Sequence, residues 1–373
     1  MKLLPILLLL FLSACQGNIN DSSVASRADD RIQYASGLSI VPYDSYSVVT
    51  VKDPWPNATK SYRYVLAKEL SSIPDSLRNL TTVKVPVQKI IVTSTTHIPS
   101  LEMLGVEKSL IGFPNTDYIS SEKIRSMIDA GQVRNLGSNQ SMNVEAVIDL
   151  ETDVLVGYGI DNSNPTLEKL ERGGVKILLN GDWNEQTPLG KAEWIKFFGT
   201  LFDLDAKADS IFSSIEKEYL DAKKIASNAN SKPTVMAGSI FENRWYMPQG
   251  NSWGAIIIED AGGLYIWADS KGTGSLSLPT ETVLEQAGDA DIWIGPEMGN
   301  LHEMEKANPH YKLFKAFKNG NVYNFTSRKG RTGGVVYYEL GPNRPDIVLK
   351  DVIKILHPEL LPGYEPFFFQ KLK

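Results

Sequence analysis

The chain has 373 residues, 42% of them hydrophobic, a formal net charge of −6 and a single cysteine. The acidic balance excludes the concentrated basic surface of a nucleic-acid binder, and one cysteine leaves no internal disulfide, iron–sulfur cluster or thiolate metal site. Stability must then come from core burial, and there is apolar material enough for two domains.

Residues 1–15 read as a signal peptide: Lys2 is the charged start, Leu3 to Leu12 the apolar core, and Ser13-Ala14 the small residues before Cys15. An apolar run of about ten residues is half of what a bilayer-spanning helix needs. Leu12-Ser13-Ala14-Cys15 resembles the bacterial lipobox, which implies that Cys15 is lipidated and becomes the first residue of the mature protein. Residues 16–35 are polar, small and without periodicity, a flexible tether. The expected location is therefore a bacterial cell envelope, with the protein lipid-anchored to a membrane and facing the periplasm.

A first α/β lobe is expected over residues 36–205. Tyr46 to Val51 alternates, Asp53-Pro-Trp-Pro-Asn-Ala turns and Tyr62 to Leu66 returns, which predicts an N-terminal β-hairpin over Tyr43–Glu69. Val87 to Thr93 is a continuous β-branched run followed by a polar loop, Ser94 to Pro99, and by Leu101, Met103 and Leu104 at helical spacing. That is the start of a βα unit with its loop at the carboxyl end of a parallel strand. The unit recurs at Val106 to Gly112, at Asp153 to Gly159 and at Val175 to Leu179, as expected of one doubly wound domain.

Between Gly190 and Ala229 strand signals vanish and Trp194, Phe197, Phe198, Leu201, Ile211, Phe212, Ile215 and Tyr219 fall at helical spacing. The spacing predicts two helices, the path bending at Asp203-Leu-Asp, with the second, over residues 206–230, as an interlobe helix. A second α/β lobe over 231–373 follows, with strands at Pro233 to Ser239, Asp291 to Gly295 and Gly320 to Phe325. Its helices are near Ser252 to Asp260 and from Pro345 to Leu356, the last opened by Pro345 and Asp346. The expected fold is α/β: two doubly wound lobes joined by a single long backbone helix.

Three segments carry a family resemblance: Val87 to Gly105; Gly137-Ser-Asn-Gln-Ser-Met-Asn-Val-Glu-Ala-Val-Ile-Asp-Leu-Glu-Thr-Asp-Val-Leu-Val; and Leu278-Pro-Thr-Glu-Thr-Val-Leu-Glu-Gln-Ala-Gly-Asp-Ala-Asp-Ile-Trp-Ile. The last two share one plan, a glutamate opening a short helix, a turn, an Asp and a buried strand. Over about residues 86–357 the chain resembles the class III, one-helix-hinge substrate-binding lipoproteins of ABC importers, which bind vitamin B12 and ferric siderophores. The resemblance implies a ligand cleft between the lobes, a monomer, and a permease dimer with its ATPase as partner. It also implies that Glu145 and Glu281, one per lobe, dock arginines of that permease, a complementarity that sets register and encounter rate.

Ligands of open α/β sheets bind beyond the carboxyl ends of the strands, so candidates come from those loops. The first lobe offers Thr95, Thr96 and His97, then Tyr158 and Asp161, then Asp182 and Trp183. The second offers Trp245 and Tyr246, Asn251 and Trp253, Glu297 and Met298, and the basic run Arg328, Lys329 and Arg331. Aromatic loop residues suit a large, flat, partly polar ligand. Three cations within four positions on a glycine-rich loop repel one another unless an anion is near, and Arg328 and Arg331 have the planar fork that suits carboxylate or catecholate oxygens. That favours an iron chelate, a ferric siderophore before cobalamin or haem.

His97 as a metal contact stays open beside ligand hydrogen bonding and plain packing, and His302, His310 and His357 show no shared spacing. No resident cofactor or metal is expected. An α/β enzyme is the alternative of another class, but no nucleophile elbow, phosphate-binding glycine motif or zinc helix appears. A lipoprotein that senses the ligand without transporting it would use the same pocket.

Overall fold

A computed structural model describes residues 29–159 and 164–373. Cys15, the signal peptide, most of the tether and Asp161 lie outside the described residues.

The first lobe is built on a five-stranded parallel sheet whose spatial order is Ile177–Leu179, Val154–Gly157, Ile90–Val92, Leu110–Phe113 and Arg134–Asn135. Strand order reverses beside Ile90–Val92, which puts a crevice at its carboxyl end. The second lobe repeats the plan with Leu264–Tyr265, Thr234–Ala237, Ile292–Ile294 and Val322–Asn324 in parallel and Gln370–Lys371 antiparallel at the edge. Central strands such as Ile90–Val92 and Ile292–Ile294 are buried along their whole length, as parallel strands covered on both faces must be.

The hairpin expected over Tyr43–Glu69 is the centre of something larger. Tyr46–Val51 and Tyr62–Ala67 pair antiparallel, and Leu38–Pro42 and Thr81–Lys84 extend them into a separate four-stranded sheet. The segment leading into it is fixed to the first lobe by two buried carboxylates. Glu193 accepts the backbone N–H groups of Gln33, Tyr34 and Ala35 at 2.7–3.0 Å, and Glu185 accepts those of Ser36 and Gly37 at 3.0 and 2.7 Å.

Three helices, not two, occupy the stretch between the lobes: Pro188–Glu193, Ile195–Leu201 and Asp205–Ala226. The bend falls at Asp203, whose φ is +55°. The 22-residue helix Asp205–Ala226 is about 33 Å long. Its buried residues Ala208, Phe212, Ile215, Tyr219, Ala222 and Ala226 alternate spacings of four and three, a seam on one face. Ala208, Phe212 and Ile215 belong to the core of the first lobe, and Tyr219, Ala222 and Ala226 to that of the second.

A second feature without a sequence signal is a three-stranded antiparallel sheet, Ser239–Phe241, Arg244–Pro248 and Ser275–Leu278, attached to the second lobe. Its tight turn places Glu242 and Asn243 at φ +46° and +64°, the backbone that a two-residue hairpin loop requires.

Because Phe212 is 2% exposed in the first-lobe half of the seam, Phe212→Ala is expected to lower the unfolding free energy in urea by about 3–5 kcal/mol. Lys217→Ala, at a side chain 73% exposed on the outer face, should stay within about 0.5 kcal/mol of the parent.

Candidate functional site

A cavity of about 420 Å³ opens between the lobes at the carboxyl ends of the first-lobe strands, within the range of small-ligand sites. Thr93, Ser94 and Thr95 follow the strand Ile90–Val92, and Phe113, Pro114, Asn115 and Tyr118 form the end of the next strand and its loop. Tyr158 follows Val154–Gly157, and Asn139 comes from the tip of a small hairpin. The second lobe closes the cavity with Gly333, Gly334, Val335 and Tyr338. None of these lining side chains is charged.

Hydrogen bonds hold the polar lining in place. Asn139 Nδ2 donates to the Thr93 carbonyl at 3.1 Å and to the Tyr158 hydroxyl at 3.2 Å, and the Tyr158 N–H donates to Thr93 Oγ1 at 3.2 Å. Tyr118 and Tyr338 remain 66% and 48% exposed, two large amphipathic rings with faces free for a ligand. The Tyr338 hydroxyl points to Glu297 Oε1 at 3.4 Å. Partial burial, reinforced by the Glu297 charge, pushes its pKa up to about 12, so at neutral pH it is a phenol.

The second-lobe wall is pressed against the first lobe. A Cβ on Gly334 would lie 2.2 Å from the Tyr118 carbonyl oxygen, and one on Gly330 2.7 Å from Ser120 Cα, so the close approach requires glycine at both. Thr332 Oγ1 donates to the Asp117 carbonyl at 2.8 Å. Asn343 accepts from Ser100 Oγ at 3.0 Å and donates to the Thr96 carbonyl at 2.8 Å. Glu339, 3% exposed, accepts the N–H groups of Ser120 and Ser121 at 2.7 and 3.0 Å.

The structure places several of the residues expected at the ligand away from the cavity lining. Arg331 reaches Asp129 at 2.7 Å and Glu122 at 3.3 Å on the first lobe, so the anions its loop calls for are the protein's own. Arg328 lies 4.3 Å over the Phe367 ring. Trp245 is fully buried in the second-lobe core, its Nε1 donating to the Ala237 carbonyl at 2.9 Å. Strand alternation turns its neighbour Tyr246 outward beside Phe241. His97 is also fully buried, packed on Phe198, with Nε2 3.9 Å from Asp182 Oδ1. Burial lowers its pKa and keeps the imidazole neutral.

The remaining candidates do not line the cavity. Trp183 Nε1 donates to the Gly159 carbonyl at 3.1 Å, Asp182 is buried with its carbonyl accepting from Lys191 Nζ, and Asn251 Oδ1 accepts the Gly272 N–H at 3.2 Å. Trp253 stacks on Tyr337 at 5.7 Å. Met298 gives its carbonyl to Asn324 Nδ2, and Lys329 pairs through its backbone with Val335. Of the residues expected at the ligand, Tyr158 and Thr95 line the cavity. Tyr118, Tyr338, Asn115 and Asn139 were missed, although Asn115 and Tyr118 follow a strand by the same loop rule that picked Tyr158.

Glu145 and Glu281 are exposed, each in the first turn of a short helix, Val144–Asp149 and Thr280–Ala287, and neither lines the cavity. Among the described residues no helix is long and apolar enough to cross a membrane.

Two doubly wound lobes on one connecting helix, with a cavity between them at the strand ends, define a bilobed solute-binding protein. A sequence profile described as periplasmic binding protein matches residues 90–328, and the chain belongs to that family. An uncharacterized lipoprotein of Methanocaldococcus jannaschii is 27% identical over 91% of this chain and 85% of its own, and a second from that organism 26% over 92% and 87%. The fold is shared with a periplasmic heme binding protein from Pseudomonas aeruginosa (TM-score 0.58, 17% identity, 77% of this chain and 98% of that one). It is shared too with Helicobacter pylori CeuE with nickel(II) bound (TM-score 0.57, 18% identity, 76% and 88%). The chain is thus a substrate-binding protein of class III architecture.

Glu339 gives the site a pH signature. Burial, with Glu102 nearby, raises its carboxyl from 4.5 to about 7 against the backbone donors that favour the charge. A folded pKa above the unfolded one means that the native state holds the proton longer; this stabilisation is complete below about pH 4.5 and is lost as pH rises through about 7. Urea unfolding across that window should show stability falling with pH, and Glu339→Gln should flatten the slope.

Proposed function

We propose that this protein captures a metal chelate, an iron chelate first among them, and delivers it to an ABC importer from a lipid anchor at Cys15. The observation that carries the reading is the uncharged cavity between the lobes, walled by Tyr118, Tyr158 and Tyr338. Phenol rings offer flat apolar faces, and their oxygens can hydrogen-bond a ligand or, on losing a proton, bind ferric iron. The names of the relatives and structural neighbours, lipoproteins on one side and a heme binding protein and a protein with nickel(II) bound on the other, support the same class.

Within that class the preference changes. The sequence favours an anionic ferric siderophore through Arg328 and Arg331, but both have partners inside the protein. An uncompensated anion gains nothing from a neutral wall and loses its hydration. Haem, with its acidic groups left in solvent, or a corrinoid suits the lining better. Titration with haemin, cyanocobalamin and a ferric catecholate, followed by absorbance and calorimetry, tests this: haemin or the corrinoid should bind at micromolar Kd or tighter, and Tyr118→Ala with Tyr338→Ala should weaken binding at least about tenfold, about 1.4 kcal/mol. Failure of all three ligands to bind overturns the proposal, and tight binding of the catecholate alone overturns the preference.

Delivery rests on Glu145 and Glu281 as docking charges, a role supported by their exposure, one on each lobe, outside the cavity. Glu145→Lys with Glu281→Lys should abolish ligand uptake in cells while the purified protein binds ligand as before; undiminished uptake removes the docking role.

A further inference from the structure

The direction of hydrogen bonding is fixed at the Tyr158 hydroxyl in the wall of the interlobe cavity. Asn139 Nδ2 lies 3.1 Å from the Thr93 carbonyl oxygen and 3.2 Å from the Tyr158 hydroxyl. A carbonyl only accepts, so the Asn139 atom facing it is the amide nitrogen; the flipped amide would set two carbonyl oxygens against each other. The same NH2 group has a second proton, and the Tyr158 oxygen accepts it. The phenol O–H is thereby left to donate, and no described residue accepts from it.

Asn139 is in place before any ligand arrives. It stands at the tip of a hairpin whose strands, Gly137–Ser138 and Ser141–Met142, pair antiparallel. The Ser138 and Ser141 hydroxyls bond at 2.7 Å, Thr166 Oγ1 in the helix Pro165–Arg172 donates to the Gln140 carbonyl at 2.8 Å, and the Gly137 carbonyl accepts the Asn115 N–H at 2.6 Å. The buried Thr93 is used twice, its carbonyl by Asn139 and its Oγ1 by the Tyr158 N–H at 3.2 Å. The freedom of the Tyr158 donor is thus lost on folding and not on binding, which favours affinity.

We propose that Asn139 is a positioning residue that holds Tyr158 as a hydrogen-bond donor, so that the cavity selects ligands presenting an acceptor oxygen or nitrogen to the first-lobe wall. This rests on the interlobe cavity being the ligand site. The lining carries no charged side chain, so a neutral acceptor such as a carbonyl or carboxamide oxygen loses less hydration there than a carboxylate does. A ferric centre seated on Tyr158 would need the phenol proton removed and would compete with Asn139 for the oxygen. The metal of a bound chelate therefore lies away from Tyr158, which meets the organic shell.

The test uses the full chain with haemin, cyanocobalamin and a ferric catecholate as probes and with tyrosine labelled by ¹³C at Cζ, the Tyr158 resonance being assigned by its loss in Tyr158→Phe. A probe that binds the parent should move that resonance, and Tyr158→Phe should weaken its binding about tenfold. Asn139→Ala should weaken binding by a similar factor in the parent but by less than about twofold in Tyr158→Phe, where there is no hydroxyl left to position; a residue that only shapes the hairpin would cost the same in both. With a probe bound, the positioning role alone is overturned if the Tyr158 resonance stays still, if Tyr158→Phe binds as the parent does, if the Asn139→Ala loss is equal in both backgrounds, or if haemin gives an iron–phenolate absorption band that Tyr158→Phe removes. If none of the three probes binds the parent, the reading of the cavity as the ligand site falls first and the positioning role with it.

Discussion

The structure depends on one seam of side chains along the helix Asp205–Ala226, shared between two hydrophobic cores. Ala208, Phe212 and Ile215 are buried in the first lobe and Tyr219, Ala222 and Ala226 in the second. A helix that both cores grip cannot rotate or slide without uncovering apolar surface in one of them. The flanking bonds reinforce this: the Tyr219 hydroxyl donates to Asp260 at 2.6 Å, Lys223 pairs with Asp260 at 2.6 Å, and Lys350 pairs with Glu218. The two sheets are therefore held in a fixed relation before any ligand arrives.

The cavity follows from that relation. With the sheets fixed, the carboxyl ends of the first-lobe strands face the loop 327–334 across a gap set by the glycines that let it pass, and Arg331, Thr332, Glu339 and Asn343 close it along one side. The bonds that join the lobes use up Arg331, and Arg328 lies over Phe367 within the second lobe. What is left facing the cavity is neutral, hydroxylic and aromatic, a surface suited to shape and stacking more than to charge.

The sequence made the lobes, the long helix and the βα loops legible because each has a local signal: β-branched runs, helical spacing, Pro345 at a helix start. It also carried the paired segments around Glu145 and Glu281. What stayed hidden depends on contacts distant in the chain. Trp245 and Tyr246 are equivalent in sequence, and only pairing with Leu278 and Ser277 sends one into the core and the other outward. Arg331 reads as a ligand cation until Asp129, 202 residues away, is found beside it. The strand Thr81–Lys84 pairs in parallel with Tyr62–Ala67 through a connection that no turn motif marks, so the four-stranded sheet read as a hairpin.

A preformed cavity on a rigid connection makes one demand that ligand-free protein can meet or fail. Spin labels at Ser126 and Glu285, exposed on opposite lobes, report the interlobe distance by electron–electron double resonance. The account predicts a single narrow distribution without ligand that moves by no more than a few ångström when ligand binds. A broad or two-peaked distribution without ligand, collapsing on binding, would contradict it.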